Sequence, residues 1–161
     1  MGSKSLHWME GKPMNFPYLT RFQPVLLSLF RFITGLLLFQ YGVAKLFKFP
    51  ALPYFADIPP LIYAAGTIEL VLGAALMLGL FTRLSAFILS GEMAFAYFIG
   101  HVFHLSKEGP PVFLPLLNGG TAAILFCFAC LYISAAGGGS VSVDALMGKE
   151  SDATGGAFAR R

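Results

Sequence analysis

Three ionisable side chains stand inside long apolar stretches of the sequence. Arg31, Glu69 and Glu92 each belong to a different stretch, and a charge at bilayer depth is costly even on the mildest scales. One guanidinium between two carboxylates would leave a net charge of about minus one, or one shared proton. We therefore expect the three to meet. Two interpretations follow: Arg31 ties the helices together, or the cluster is a substrate or proton site with all three as catalytic residues.

A second polar layer lies towards the other ends of these stretches. Lys45, His101 and Asn118 are its members with groups suited to hold a ligand, and we predict them as ligand-binding residues. On an α-helix His101 is about half a turn away from Glu92, because nine residues separate them. The two layers therefore cannot both point at the bundle axis, and one must face a neighbouring helix, a groove or another subunit.

The pair His101-x-x-His104 raises the question of a metal. Glu108 is the only further strong ligand close by in the sequence, and a closed site needs more donors than that. We predict no metal site and interpret the histidines as structural or interfacial.

Both cysteines of the chain lie in the segment Cys127-Phe-Ala-Cys130. A Cys-x-x-Cys can carry out thiol–disulfide exchange, but apolar surroundings make a thiol less reactive. No second cysteine pair exists to relay electrons. Packing is the preferred interpretation of Cys127 and Cys130, and a redox role is the alternative.

Four apolar runs must position all of these side chains. Each has about the 20 residues needed to cross a hydrocarbon core, and they cover residues 25–45, 61–80, 84–105 and 116–136. In lipid they must be helical, because an open strand would leave backbone groups unpaired. The composition agrees, with 57% hydrophobic and 12% charged residues and a mean hydropathy of +0.73.

The sequence thus predicts an all-α protein, an integral membrane four-helix bundle. We divide it into an N-terminal cytoplasmic segment (1–24), the membrane domain (25–147) and a flexible C-terminal tail (148–161). The first run begins after 24 residues, is longer than a usual signal core and lacks a clear small-x-small site before Lys45, so we expect it to stay uncleaved.

Orientation follows from the Lys and Arg residues outside the spans. Seven lie on one side, namely Lys4, Lys12, Arg21, Arg83, Lys149, Arg160 and Arg161. Three lie on the other side, namely Lys45, Lys48 and Lys107. The excess predicts a multi-pass protein with both termini in the cytoplasm. Lipid is the expected partner, and the absence of a long basic run argues against nucleic acid.

Several short motifs, in order, resemble those of the DoxX family of membrane proteins. They are Arg31 with Gly35, then Gly42-Val-Ala-Lys45-Leu46, Ile68-Glu69-Leu-Val-Leu-Gly73, Leu78-Gly-Leu-Phe-Thr-Arg83, Glu92-Met-Ala94 with His101, Pro115-Leu-Leu-Asn118-Gly-Gly120, Gly137-Gly-Gly139 and Ser142-Val-Asp144. Each motif alone is weak, but their order and spacing over roughly residues 25–147 are fairly specific.

The resemblance implies a four-helix protein of the bacterial inner membrane. Relatives include the membrane subunit of a thiosulfate:quinone oxidoreductase, and others are linked to redox or sulfur stress. More distant relatives act as chaperones or cargo receptors, so the fold does not settle the function. One position departs from the family pattern: Thr121 stands where an acidic residue is expected after Asn118-Gly-Gly. A hydroxyl cannot replace a carboxylate in proton transfer, which weakens the case for a full catalytic set.

The first function hypothesis is the membrane subunit of a quinone-linked oxidoreductase. Glu69 and Glu92 would handle protons, Arg31 would hold their charge, and His101 or Asn118 would hydrogen-bond a quinone oxygen. The quinone would be a diffusible substrate, since no haem, flavin, iron–sulfur or metal signature is present. Electrons would come from a soluble redox partner protein or from a reduced sulfur compound such as thiosulfate.

The second hypothesis is a non-catalytic membrane scaffold that binds another protein, with structural buried charges. A small-solute transporter is the third, although four helices without visible repeats argue against a monomeric carrier. The sequence leaves homo-oligomer formation open.

Overall fold

The computed structural model describes residues 17–103 and 110–148. The helices, in chain order, are α1 (Pro17–Arg21), α2 (Gln23–Phe47), α3 (Pro60–Leu78), α4 (Thr82–Phe95), α5 (Pro115–Asn118), α6 (Thr121–Ala136) and α7 (Val143–Leu146). α4 continues directly into a π-helix over Ala96–Val102, and a 3-10 turn over Pro53–Phe55 lies between α2 and α3. The protein is a helical membrane bundle, as the sequence predicts.

Three helical segments of the described chain are long and apolar enough to cross a membrane. They are Gln23–Phe47, Pro60–Leu78 and Thr82–Val102, close to the first three predicted spans. The prolines between residues 48 and 60 keep that connection free of regular α-helix, because proline cannot donate the backbone hydrogen bonds that a helix needs.

The predicted fourth span does not form as one helix. A single helix over 116–136 is wrong: α5 ends at Asn118, and the chain turns at Gly119 with φ +74° before α6 begins. The left-handed conformation at Gly119 stops the first helix, and glycine adopts it without steric cost. α6 has 16 residues, a length of about 24 Å, which is shorter than a usual span.

The third span changes its helical type part-way. Hydrogen bonds from residue i to i+5 replace the α-helical pattern from Ala96 to Val102. Each π-helical residue turns the chain through a smaller angle, so His101 is rotated from the face that α-helical counting gives. Of the predicted range 84–105, residues 104 and 105 lie outside the described residues.

α2 and α3 form a closely packed antiparallel pair. A Cβ added at Gly42 would lie 2.5 Å from the backbone nitrogen of Leu70, and one added at Gly35 would lie 2.7 Å from that of Met77. No side chain fits at those distances, so the glycines allow the two backbones to approach. Gly35 and Gly42 are therefore at the α2–α3 interface.

α4 packs mainly against α6. The Ser90 hydroxyl donates to the Cys127 carbonyl oxygen over 2.9 Å, and Leu89, Cys130 and Ile133 are fully buried. The bundle is thus built from two helix pairs, α2 with α3 and α4 with α6.

The segment 137–146 folds back across one end of the bundle. The Asp144 carboxylate accepts hydrogen bonds from the backbone nitrogens of Phe81 (2.9 Å) and Thr82 (2.7 Å). It therefore caps the beginning of α4, where unpaired N–H groups favour an anion. We call this end of the bundle, which also holds Arg31, the Arg31 end, and the opposite end the Lys45 end.

Candidate functional site

Lys45 and Glu69 form a buried ion pair across the α2–α3 interface. Lys45 Nζ lies 2.6 Å from Glu69 Oε2, and the two residues are 8% and 1% exposed. The Lys45 stem passes over Gly66, where an added Cβ would lie 2.9 Å from Lys45 Cβ. Because Gly66 has no side chain, the stem can run along α3 for one turn and bring the ammonium to Glu69.

Glu92 completes a cluster of three charged groups, which we call the carboxylate–lysine cluster (Lys45, Glu69 and Glu92). Counted from the Arg31 end, Glu69 lies nine residues before the end of α3 and Glu92 ten residues after the start of α4. Both are thus about 13–15 Å from that end. Glu92 interacts electrostatically with Glu69 and with Lys45. The two carboxylates thus lie at a similar depth and interact electrostatically, and a direct contact between them stays a prediction.

One oxygen of the cluster stands out. Glu92 Oε2 is buried and has no hydrogen-bond partner among the described residues, whereas Glu69 Oε2 accepts a hydrogen bond from Lys45. Buried polar atoms are nearly always paired, so an orphaned carboxylate oxygen calls for an explanation. A protonated carboxyl group at Glu92 would bring the cluster to zero net charge and would supply a proton donor.

Arg31 does not belong to this cluster, so its predicted contact with Glu69 is wrong. The guanidinium is buried and donates to the backbone oxygens of Leu76, Met77 (2.7 Å), Gly138 (2.9 Å) and Val141 (2.6 Å). It thereby binds α2 to the end of α3 and to the segment 137–146. The interpretation of Arg31 as a tie between helices is the one that the contacts support.

The direction of side chains on a helix explains the error. Long side chains lean towards the N-terminus of their helix, so Arg31 and Lys45 both point towards the Arg31 end of α2. For Lys45 this direction leads to Glu69, but for Arg31 it leads away from it. Gly42 of α2 lies beside Leu70 of α3 and is therefore at about the same depth as Glu69. Arg31 lies about 16 Å along α2 from Gly42, towards the Arg31 end.

His101 and Asn118 are brought together at the Lys45 end. His101 Nδ1 lies 3.1 Å from the Asn118 carbonyl oxygen. The Asn118 amide donates to Val112 O (2.7 Å) and accepts from Gly120 N (2.7 Å), which fixes the turn before α6. The pair is about 13 Å along the helix from Glu92. The pair is thus a separate layer from the cluster. The placement of Lys45 in that layer is wrong, because its ammonium reaches Glu69 instead. The ligand-binding role of His101 and Asn118 stays a prediction.

The two cysteines occupy the α4–α6 interface as free thiols. Cys130 is fully buried, and Cys127 Sγ lies 3.6 Å from the Ser90 hydroxyl. These contacts are those of packing residues. At the head of α6, Thr121 is exposed and donates to Pro115 O over 3.4 Å.

Within residues 17–103 and 110–148, no three His, Cys, Asp or Glu side chains lie close enough to hold a metal ion. His104 and Glu108, the other members of the metal hypothesis, lie outside the described residues.

Comparison with known proteins gives the family. The DoxX family model matches residues 26–102. A protein of Haemophilus influenzae, described as uncharacterized, is 36% identical over 129 residues, which cover 78% of this chain and 93% of the relative. The chain belongs to the DoxX family. No solved structure matches it.

The DoxX match spans α2, α3 and α4 with its π-helix, the elements that carry the whole carboxylate–lysine cluster. α6 and the segment 137–146, to which Arg31 is bound, lie beyond it. The relative from Haemophilus influenzae has no stated activity.

Sequence reasoning did not assign a role to two residues of the described structure that contact the cluster or hold the helices around it. Asp144 enters the sequence analysis only within the motif Ser142-Val-Asp144, and its role as the cap of α4 was missed. An acidic residue near a helix N-terminus is a recognisable signal once the tail is known to fold back. Phe55 lies over the Lys45 ammonium, with 5.9 Å from ring centroid to Nζ. Nothing in the sequence distinguishes it from the other aromatic residues of that connection.

Proposed function

We propose that this DoxX protein is the membrane subunit of a quinone-linked oxidoreductase and that the carboxylate–lysine cluster is its proton site. The observation that carries the proposal is the orphaned Glu92 Oε2 beside the Lys45–Glu69 pair. A cluster built only for stability would be expected to satisfy each buried polar atom. Titratable groups that are partly buried and coupled to neighbouring charges are concentrated at functional sites.

The chemistry requires protons inside the membrane. Reduction of a quinone to its quinol consumes two electrons and two protons, one at each oxygen. The cluster offers two proton donors. One is a carboxyl group at Glu92, and the other is the ammonium of Lys45, which Glu69 holds in place. The electrons come from a donor outside this chain, either a soluble redox protein or a reduced sulfur compound. The chain's own part is to bind the ring, exclude water and deliver protons.

The predicted ligand-binding residues take different roles in this proposal. Lys45 donates a hydrogen bond to one quinone oxygen while keeping its contact with Glu69. His101 lies farther towards the Lys45 end and would contact the other oxygen or the ring edge only if the ring spans both layers. The Asn118 amide is engaged by Val112 O and Gly120 N, so we assign it to positioning His101.

Binding and turnover of a quinone test the proposal. The purified chain in lipid should bind a ubiquinone or menaquinone analogue. Glu92→Gln should abolish quinone reduction by the donor without lowering the yield of folded protein, because the amide keeps the shape but cannot deliver a proton. Asp57→Asn is the matched control, since it neutralises an exposed carboxylate and should leave turnover unchanged. Absence of quinone binding in the wild type, even with a reduced sulfur donor present, would reject the proposal.

A non-catalytic membrane scaffold is the second candidate. The observation that favours it is the closed geometry of the Lys45–Glu69 pair, in which both partners are satisfied and buried as in a structural salt bridge. The two candidates predict different results when the charges of Lys45 and Glu69 are both removed. Quinone reduction should be lost if the cluster is the proton site, whereas a scaffold has no quinone reduction to lose.

The location belongs to the proposal as well. We assign the protein to the bacterial inner membrane with both termini in the cytoplasm, because the excess of Lys and Arg lies on that side. The test fuses a reporter enzyme after Arg161. A reporter that works only in the cytoplasm should show activity there. An inactive fusion, with a periplasmic reporter active at the same position, would reverse the orientation.

A further inference from the structure

The connection between α2 and α3 closes the Lys45 end of the bundle above the ion pair. Of residues 49–57, all of them described, Phe55 alone is buried, at 6% exposed, whereas its neighbour Tyr54 is 71% exposed. The Phe55 ring lies 5.9 Å from Lys45 Nζ, a cation–π distance. The ring thus covers the ammonium from the side of the connection, which lies outside the helices that can span the membrane.

Lys48 binds the turn that carries this ring. Its backbone is left-handed, with φ 55°, which ends α2 and turns the chain back over the bundle. Lys48 Nζ donates to the Phe55 carbonyl oxygen over 2.5 Å and lies 4.9 Å from the centroid of the Tyr63 ring. One cation therefore joins the Pro53–Phe55 turn to the first part of α3.

The turn also has space beside it. An open cavity of about 340 Å³ borders it and is lined by Lys48, Ala51, Leu52, Pro53 and Ala56. Phe55 itself is buried and does not line this cavity, but its chain neighbours Pro53 and Ala56 do. The turn that carries the ring is therefore unpacked on that side and has room to move without separating α2 from α3.

We propose that Phe55 is a movable lid over the carboxylate–lysine cluster and that Lys48 is the latch that holds it closed. With the lid closed, Lys45 and Glu69 are shielded from water, which strengthens their attraction and keeps stray protons out. With the lid open, the cluster exchanges protons with the aqueous phase at the Lys45 end. Phe55 is thus a positioning residue that controls access and does not itself touch a reacting atom.

This inference rests on the proposed function in one respect, since a lid matters only if the cluster must exchange protons. Its test, however, measures the access of a water-soluble reagent to Lys45 and needs no quinone turnover. Failure of the lid and failure of the oxidoreductase proposal are therefore distinguishable.

The experiment uses the full chain in lipid nanodiscs and a water-soluble acetylating reagent, sulfo-N-hydroxysuccinimide acetate. Peptide mass spectrometry follows the acetylation rate of Lys45. In Phe55→Ala that rate should rise by about tenfold, because both the cation–π contact and the shield are lost. In Lys48→Met it should rise as well, since the latch is gone while the ring remains. Tyr54→Ala is the matched control and should leave the rate unchanged.

The reactivity of Cys130 shows whether a variant opens only at the lid or throughout the bundle. Cys130 is fully buried in the α4–α6 interface, so it should resist a maleimide in every variant if only the lid has moved. Unchanged Lys45 acetylation in both Phe55→Ala and Lys48→Met would overturn the proposal, as would an equal rise in Tyr54→Ala. Maleimide labelling of Cys130 in Phe55→Ala would show that this variant unfolds generally. The acetylation rate of Lys45 in Lys48→Met would then decide whether the lid proposal stands.

Discussion

Lys45 Nζ lies 2.6 Å from Glu69 Oε2, and this contact joins two helices below the surface of the bundle. The lysine is two residues from the end of α2, where such side chains commonly extend outward to water. Here the stem runs inward over Gly66 because a helical side chain leans towards its N-terminus. This buried ion pair is thus set by the direction of α2 and by a missing side chain on α3.

The pair should be strongly coupled in stability. Glu69→Gln leaves the Lys45 ammonium buried without an anion, which should lower the free energy of unfolding by about 3–5 kcal/mol. Lys45→Met should cost a similar amount. The double variant Lys45→Met/Glu69→Leu should recover most of the loss, because apolar groups of similar size replace both charges. Thermal unfolding in lipid or detergent gives the three values, and additive losses in the double variant would show that the pair is not coupled.

The glycines of the α2–α3 interface should be intolerant of even one methyl group. Gly42→Ala would bring a Cβ to 2.5 Å from the Leu70 nitrogen, so the helices must separate, at a cost of about 1–3 kcal/mol. Gly91→Ala is the control, because nothing lies within 4 Å of its added Cβ. That change should stabilise the protein by about 0.5–1 kcal/mol through helix propensity. Equal effects at the two positions in thermal unfolding would contradict the packing that we describe.

Replacement of Arg31 should release the segment 137–146. Lysine carries the charge of arginine but not its planar set of donors, so Arg31→Lys cannot bind carbonyl oxygens from α3 and from Gly138 and Val141 together. Hydrogen exchange at the amides of 141 and 144 should speed up in this variant. Arg83→Lys is the control, since Arg83 contacts α6 at Ser134 and Ala135 instead. Unchanged exchange in Arg31→Lys would mean that other contacts hold the segment.

The cysteines should be dispensable for chemistry. Cys127→Ala with Cys130→Ala removes both thiols and should keep quinone reduction near the wild-type rate, because the thiols act in packing. A modest loss of stability is expected from the small cavity at Cys130, which is fully buried. Loss of turnover in a variant that unfolds at the wild-type temperature would restore the redox interpretation.

The sequence predicts the first three spans and the similar depth of Glu69 and Glu92, because apolar length and helical depth are local properties that can be counted. The partner of Glu69 could not be predicted in this way. Counting gives the depth of a Cα atom, whereas a lysine or arginine head group lies about one turn away in a direction set by the helix. Lys45 therefore takes the place beside Glu69 that depth alone assigns to Arg31.

The end of the chain and the third span show a second limit. The fold-back of 137–146 depends on Arg31 and Asp144, which bind backbone groups far away in the sequence and leave no periodic signal. The π-helix over Ala96–Val102 likewise changes the face of His101 without any residue that marks it, since an i to i+5 pattern is a property of packing rather than of local propensity.

Turnover of the Lys45→Met/Glu69→Leu double variant tests the central claim most directly. This variant should fold, since neither charge is left alone, and its unfolding temperature identifies a properly assembled bundle. If the carboxylate–lysine cluster is the proton site, the folded variant binds the quinone analogue more weakly and fails to reduce it. A folded double variant that reduces quinone at the wild-type rate would contradict the account and would make the pair a structural element only.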